Sequence, residues 1–264
     1  MSLDEIYKLI GAEGFSARVL DAIDHFSNDI ENGRKNFSRY TLEEHSGICK
    51  AGSPLIGAAV VAGYARASLE AGANVAAGKR ILISNWTIDE AQEQAIEQWA
   101  KAARLWVEDS DVILLRSIGP MIAQGAESKV YYRSGDPSVV KERTSIYSTW
   151  QKALDAIVLH NCLFPETAML VTGFTRDSDH LMRLILTQPY VRCQRLASKG
   201  EIDAMVAAKG FHNNRDGQGV NYISDRIALE DMHPAQCIHS FGWSGCRMIP
   251  TRFLPERNRA FNRC

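Results

Sequence analysis

Long hydrophobic runs, a charge excess and a regular cysteine pattern are all missing from this sequence of 264 residues. The most apolar run, PLIGAAVVAGYA at residues 54–65, is too short to span a bilayer and leads directly into Arg66. The formal net charge of -1 argues against non-specific electrostatic binding of nucleic acid. The start of the chain lacks a basic segment followed by an apolar stretch, so we do not expect a signal peptide there.

The 6 cysteines are scattered, without a CxxC pair and without regular spacing. Such scatter favours reduced thiols over a disulfide scaffold. The composition is 45% hydrophobic and 23% charged, which supplies a sizeable globular core. These features predict a soluble, cytoplasmic protein with no membrane segment.

Residues 1–88 are predicted to form a helical N-terminal region. The segments EIYKLI and FSARVLDAIDHF have helical spacing of apolar residues, and an Ala- and Gly-rich scaffold helix follows, ending near Gly78. The next helix, TIDEAQEQAIEQWAKAARLWVED, is the clearest in the chain. Thr87 and Glu90 have the spacing of a capping box at its start.

After about residue 120, β-rich runs replace the helical pattern. Two such runs flank RSGDPS, and two more flank a turn at residues 177–179, with a helix over residues 148–163 between the two hairpins. The later residues favour mainly helix and loop. This order predicts an α+β fold with a small sheet lobe ahead of a second lobe.

Three short motifs occur in the order that phosphoryl transfer of the kinase type requires. GAESKVYY contains Gly125 in a β-turn, VVK places Lys141 on a strand, and LEDMHPAQC presents Asp231 much later. Such a reaction needs a backbone loop and a lysine for the phosphates, and an aspartate that orients the attacking hydroxyl. Each motif is weak alone, but their order and spacing together favour this chemistry.

These motifs, with LHNCLFPET, LILTQPYV and EIDAMVAAKGF, resemble the Ser/Thr/Tyr kinase domain found within polyvalent proteins of phages and conjugative elements. The similarity covers about residues 90–255. It implies a bilobal, protein-kinase-like fold with ATP between a small β-rich N-lobe, about residues 118–188, and a larger helical C-lobe, about residues 192–256. The kinase-like domain would span residues 89–264, after the helical N-terminal region.

The resemblance also implies site residues. Lys141 would contact the phosphates, Asp231 would take the proton of the acceptor hydroxyl, and residues 187–191 would form the hinge for adenine. Either Asp155 or Glu166 would supply the acid that pairs with Lys141. The implied ATP-binding residues are Gly125, Ala126, Glu127, Ser128, Val130, Lys141, Gln188 and Tyr190.

Two departures concern magnesium. Gln236 stands where these loops carry a metal-binding asparagine, and its longer side chain can reach a metal only in another geometry. Ile249 stands where an aspartate would bind Mg²⁺, and an isoleucine cannot ligate a hard cation. Losing that ligand would cost about 3 kcal/mol, or roughly a hundredfold in rate. The chain is therefore expected to be either an active phosphotransferase or a degenerate relative that binds nucleotide or a protein partner.

Other interpretations stay open at this point. His233, Cys237, His239 and Cys246 are zinc-ligand types, although their spacing matches no common zinc module. Cys162 or Cys237 could act as a nucleophile beside a histidine, but neither has a recognisable flank. The acceptor is expected to be a protein hydroxyl, and small-molecule kinases of the aminoglycoside type share similar loops.

Overall fold

The computed structural model describes most of the chain in full and a few strand segments by their backbone alone. The full description covers residues 1–32, 52–78, 81–108, 118–125, 127–192, 195–214, 220–224, 227–230 and 232. Backbone alone is described for residues 193–194, 237–240, 246–248 and 252–255. Helices and antiparallel strands occur together within these ranges, as the predicted α+β class requires.

Four helices precede the sheet, as their apolar spacing predicts. They are α1 (Leu3–Glu13), α2 (Ala17–Glu31), α3 (Ser53–Ala77) and α4 (Asn85–Ala102). The predicted capping box at Thr87 and Glu90 is wrong, because Ser84 caps α4 and its hydroxyl accepts the Thr87 N–H at 3.1 Å. In the parts of the chain that the structure describes, no helix has the length and hydropathy of a membrane-spanning segment.

Helix α3 is the scaffold of this region, as its small residues predict. Its first half, from Leu55 to Gly63, is fully buried. A Cβ at Gly57 would lie 2.4 Å from the ring of Trp99 on α4, so glycine at this position permits the close approach of the two helices. α3 ends at Gly78, whose φ of 62° lies in the left-handed region that glycine tolerates.

Five antiparallel strands form one sheet in the order β1-β2-β3-β5-β4. They are β1 (Met121–Gln124), β2 (Ser128–Tyr131), β3 (Ser138–Arg143), β4 (Leu170–Arg176) and β5 (Met182–Pro189). Both predicted hairpins are confirmed, since β2 pairs with β3 and β4 pairs with β5. At the second turn the Asp177 carboxylate accepts the N–H groups of Asp179 and Leu181, at 3.0 and 2.9 Å, which closes the turn.

Helix α5 (Trp150–Leu163) connects β3 to β4 and is followed by a 3₁₀ helix, Pro165–Thr167. Of its 14 residues, 10 are buried, so it contributes to two hydrophobic cores. In the first core, Leu154 and Ile157 pack with α1–α4 and the sheet. In the second core, Leu159 and Leu163 pack with residues from the later part of the chain. α5 therefore connects the N-terminal helices, the sheet and the later residues.

The later residues form short strands around one described helix, α6 (Lys199–Ala207). The strands are β6 (Cys193–Leu196), β7 (His212–Asn213), β8 (Tyr222–Ile223), β9 (Ile227–Glu230), β10 (Cys237–Ser240), β11 (Cys246–Met248) and β12 (Arg252–Pro255). They form sheets of order β11-β10-β6 and β12-β9-β8-β7. The expectation of a mainly helical second lobe is wrong for the described residues, because runs such as β9 bury every second residue, the period of a strand.

Candidate functional site

Lys141 lies in the middle of β3, between Val130 of β2 and Leu186 of β5. Its predicted position on a strand is confirmed. Because side chains alternate along a strand, Lys141 and Arg143 share one face of the sheet and Glu142 points to the other. Leu186 lies opposite Lys141 on the same face and belongs to the first core, where α5 packs. Lys141 therefore faces the side of the sheet that α5 covers.

The loop between β1 and β2 is tied to the end of β3. Gly125 closes the turn, with its N–H donating to the Ser128 carbonyl at 2.8 Å. The Glu127 carbonyl accepts the Thr144 N–H at 2.9 Å, and the Glu127 carboxylate forms an ion pair with Arg143 at 2.9 Å. Both side chains of this pair are largely buried. The loop that was predicted to cover phosphates is thus held at its middle by the strand that carries Lys141.

Lys141 is partly buried in the sheet. This burial, together with the positive charge of Arg143, lowers its pKa from 10.5 to about 8. Neither Asp155 nor Glu166, the two candidates for its acidic partner, forms an ion pair with it, and no other carboxylate among the described residues does so. Lys141 is still protonated at neutral pH, so the described part of the site holds a cation without a counter-charge.

His160 is the residue of α5 on which the charges of Lys141 and Arg143 act. It is fully buried, and its Nε2–H donates to the Thr167 carbonyl at 2.8 Å. Burial, reinforced by the two nearby cations, lowers the pKa of His160 to about 3. The imidazole is therefore neutral at physiological pH. The helix presents a neutral ring near Lys141, where the sequence had suggested an acid.

The end of β5 contributes two of the predicted ATP-binding residues. Gln188 is 4% exposed, and its side-chain amide donates to the Thr167 carbonyl at 2.7 Å, so it reaches the same carbonyl as His160. The backbone N–H of Tyr190 donates to the Pro137 carbonyl at 2.8 Å, and its ring stacks on Tyr132. This hydrogen bond occupies the backbone N–H of Tyr190.

A protein-family model described as serine/threonine/tyrosine kinase found in polyvalent proteins matches residues 89–240, more than half of the chain. The chain belongs to this kinase family. No curated protein matches it. The family match covers most of α4, the five-stranded sheet, α5 and the strands up to β10, and thus includes Lys141, His160, Gln188 and the loop between β1 and β2.

Several predicted residues of the kinase site lie outside the described residues. They are Ala126 in the loop, Asp231, and the metal-site positions Gln236 and Ile249. The residues around Asp231 are described: Leu229 in β9 and Met232 are both buried in the second core, and the Met232 N–H donates to the Val220 carbonyl at 2.8 Å. The backbone is therefore anchored on both sides of Asp231.

The cysteine predictions need one correction. Cys162, in the last turn of α5, is disulfide-bonded, whereas scattered cysteines had predicted reduced thiols. A disulfide sulfur is not a thiolate, so Cys162 in this state cannot be the nucleophile considered above. The side chains of the alternative zinc set, at residues 233, 237, 239 and 246, lie outside the described residues. Within the described residues, no group of three His, Cys, Asp or Glu side chains could hold a metal.

Sequence reasoning missed the Glu127–Arg143 pair and the role of His160. The strand period offered a signal for the first, because Arg143 follows Lys141 by two residues and must share its face. It did not reveal which acid Arg143 would pair with. For His160 the only signal was its place on a helix with apolar neighbours, which is equally typical of a packed core histidine.

The Glu127–Arg143 pair provides a test of how the loop is held. Replacing Arg143 by Met leaves the Glu127 carboxylate largely buried without its cation, and we expect the free energy of unfolding to fall by about 3 kcal/mol. The double variant, with both Arg143→Met and Glu127→Gln, should lose less free energy of unfolding than the two single variants lose together. Urea unfolding in a double-mutant cycle measures this difference.

The exposed pair Arg18–Glu13, at 2.7 Å, serves as the control for the same residue types. Arg18→Met should cost less than about 1 kcal/mol. Equal losses of unfolding free energy for Arg143→Met and Arg18→Met would show that the Glu127–Arg143 pair does not hold the loop. Strict additivity in the double-mutant cycle would show the same.

Proposed function

We propose that this chain is an ATP-dependent phosphotransferase that moves the γ-phosphate of ATP to a hydroxyl group. The observation that carries the proposal is Lys141, a partly buried cation beside a tight backbone loop and without a carboxylate partner among the described residues. Taking a charge out of water is costly unless it is paired. The phosphates of a nucleotide would supply the missing negative charge.

The residues around Lys141 suit ATP as the phosphate donor. Backbone N–H groups of residues 125–130 would cover the phosphates, and the Glu127–Arg143 pair supports this role because it neutralises an acid that would otherwise repel them. The chain beside Tyr190 would bind adenine. The two cores that share α5 would be the two lobes, with ATP between them and the N-terminal helices packed on the first.

Asp231 would act on the hydroxyl group that accepts the phosphate. Its carboxylate would accept the proton of the attacking hydroxyl while the hydroxyl oxygen forms a bond to the γ-phosphorus and the bond to the bridging oxygen of ADP breaks. The buried residues Leu229 and Met232 support this assignment, because they restrict the backbone on both sides of the carboxylate. A protein hydroxyl is the acceptor that the family description favours.

A second candidate is a nucleotide-binding relative without turnover. Ile249 cannot bind Mg²⁺, and Gln236 would be a metal ligand only in an altered geometry.

One experiment separates the two candidates. The melting temperature of the full chain is measured with ATP in EDTA and with ATP in Mg²⁺, and phosphate transfer from γ-labelled ATP is followed in parallel. The phosphotransferase should be stabilised by ATP in both buffers and should transfer phosphate in Mg²⁺. Stabilisation without transfer would favour the second candidate. No stabilisation in either buffer would exclude both.

A further inference from the structure

The first turn of α5 is capped by side chains of a different helix. The N–H of Trp150 donates to the Asp89 carboxylate at 2.8 Å, and the N–H of Gln151 donates to the side-chain carbonyl of Gln92 at 3.0 Å. The Thr149 hydroxyl, at the N-cap position, accepts only the N–H of the third helical residue, Lys152, at 3.5 Å. The first N–H groups of a helix have no partner within it, so α4 supplies two partners that α5 needs.

The same side chains of α4 bind further elements. Gln92 is fully buried, and its Nε2 donates to the Ala62 carbonyl of α3 at 3.0 Å. The Glu93 carboxylate accepts the indole N–H of Trp150 at 2.9 Å and forms an ion pair with Arg176 of β4 at 3.1 Å. Since Asp89, Gln92 and Glu93 lie on one face of α4, this face joins α3, the start of α5 and the edge of the sheet.

The other end of α5 carries two fully buried polar residues, His160 and Asn161. His160 lies near Lys141, and the Asn161 side chain exchanges two hydrogen bonds of 2.8 Å with the backbone of Met169. A helix rises about 1.5 Å per residue, so Trp150 and His160 are roughly 15 Å apart on one rigid element. A tilt at the first turn would therefore move His160 relative to Lys141.

We infer that Asp89, Gln92 and Glu93 are positioning residues for the proposed nucleotide site, which hold α5 in its place beside Lys141. The inference rests on the proposed function, because it assumes that nucleotide binds at Lys141. It assigns a role to the N-terminal helices: α3 and α4 keep α5 fixed from within the same chain.

The test uses paired variants of the full chain that keep or remove a hydrogen-bond acceptor. Asp89→Asn retains an oxygen that can accept the Trp150 N–H, whereas Asp89→Leu has a similar shape and no acceptor. Gln92→Met removes the second cap in the same way. Burial raises the pKa of Asp89 to about 6, so measurements at pH 7.5 compare the ionised carboxylate with its neutral variants. Ile6→Val, in α1, is the control for a general loss of stability in the first core.

Hydrogen exchange of the α5 peptide and the dissociation constant for ATP are both measured. For Asp89→Leu and Gln92→Met we expect exchange at the first turn of α5 to become about tenfold faster and ATP affinity to fall about tenfold, the equivalent of one lost hydrogen bond. Asp89→Asn should restore both values towards wild type. Ile6→Val should change neither the exchange at this turn nor the affinity.

The two readouts keep the inference separate from the proposed function. Unchanged exchange in α5 would show that α4 does not hold this helix, whether or not ATP binds. Faster exchange with unchanged ATP affinity would overturn the positioning role. If the wild-type chain binds no ATP, the proposed function fails and the positioning role with it, while the exchange data still show whether α4 caps α5.

Discussion

Replacing Lys141 by Met is expected to abolish the stabilisation of the full chain by ATP. Truncating one partner of an enclosed charge pair typically costs about 2–5 kcal/mol, which corresponds to a loss of roughly thirtyfold or more in affinity. Lys8→Met is the control, because Lys8 is exposed on α1 and lies outside the residues that the family model matches. Thermal-shift titration should show normal ATP binding for this control.

The pH dependence of the wild-type chain offers an independent check on Lys141. Its pKa of about 8 lies below the unfolded value of 10.5. The ligand-free chain should therefore gain stability from this group as pH rises through 8, because the folded state favours the neutral amine. ATP affinity should change in the opposite direction and fall by up to about tenfold per pH unit above 8, because the phosphates favour the ammonium form. An affinity that stays constant from pH 7 to 9.5 would argue against contact between Lys141 and phosphate.

Replacing Asp231 by Asn is expected to remove phosphate transfer and to leave ATP binding intact. An asparagine cannot accept the hydroxyl proton, and the loss of a positioned base reduces rates by about 10²–10⁴-fold. Transfer from γ-labelled ATP measures the rate, and a thermal-shift titration measures the binding. Asp179→Asn, in the exposed turn between β4 and β5, removes one carboxylate elsewhere and should leave both values unchanged.

The outcome for Asp231 distinguishes its possible roles. A variant that transfers phosphate at the wild-type rate would show that Asp231 is not the base. A variant that loses ATP affinity as strongly as Lys141→Met would indicate a role in binding, for example through a metal, in place of proton transfer.

The sheet and α5 could be predicted from the sequence because they depend on local signals. The turn residues of RSGDPS and of residues 177–179 determine where the two hairpins reverse, and both appear at the predicted places. Lys141 lies on the second strand of the first hairpin, as predicted. The sequence does not predict the strands after residue 192, because all the described ones are only two to four residues long. In such short runs the alternation of buried and exposed residues cannot be told from a loop.

The contacts that surround the site depend on long-range packing, which local patterns do not contain. Asp89 and Trp150 are 61 residues apart in sequence, and neither residue type indicates that one helix caps the other. The sequence favours an acid near α5 as the partner of Lys141, but the α5 side chain on which the charge of Lys141 acts is the neutral His160, since burial in the core excludes a charge there. The pairing of Glu127 with Arg143 likewise follows from how the loop folds onto β3.

Labelling of the full chain by a lysine-reactive acyl-phosphate derivative of ATP, with sites mapped by mass spectrometry, tests most directly whether Lys141 lies in a nucleotide pocket. Its lowered pKa makes Lys141 a more reactive amine than an exposed lysine, so we predict acylation of Lys141 that unmodified ATP prevents. Exposed lysines far from the loop between β1 and β2, such as Lys8 on α1, should not be protected. Labelling confined to exposed lysines, or labelling of Lys141 that excess ATP does not reduce, would contradict the nucleotide site proposed here.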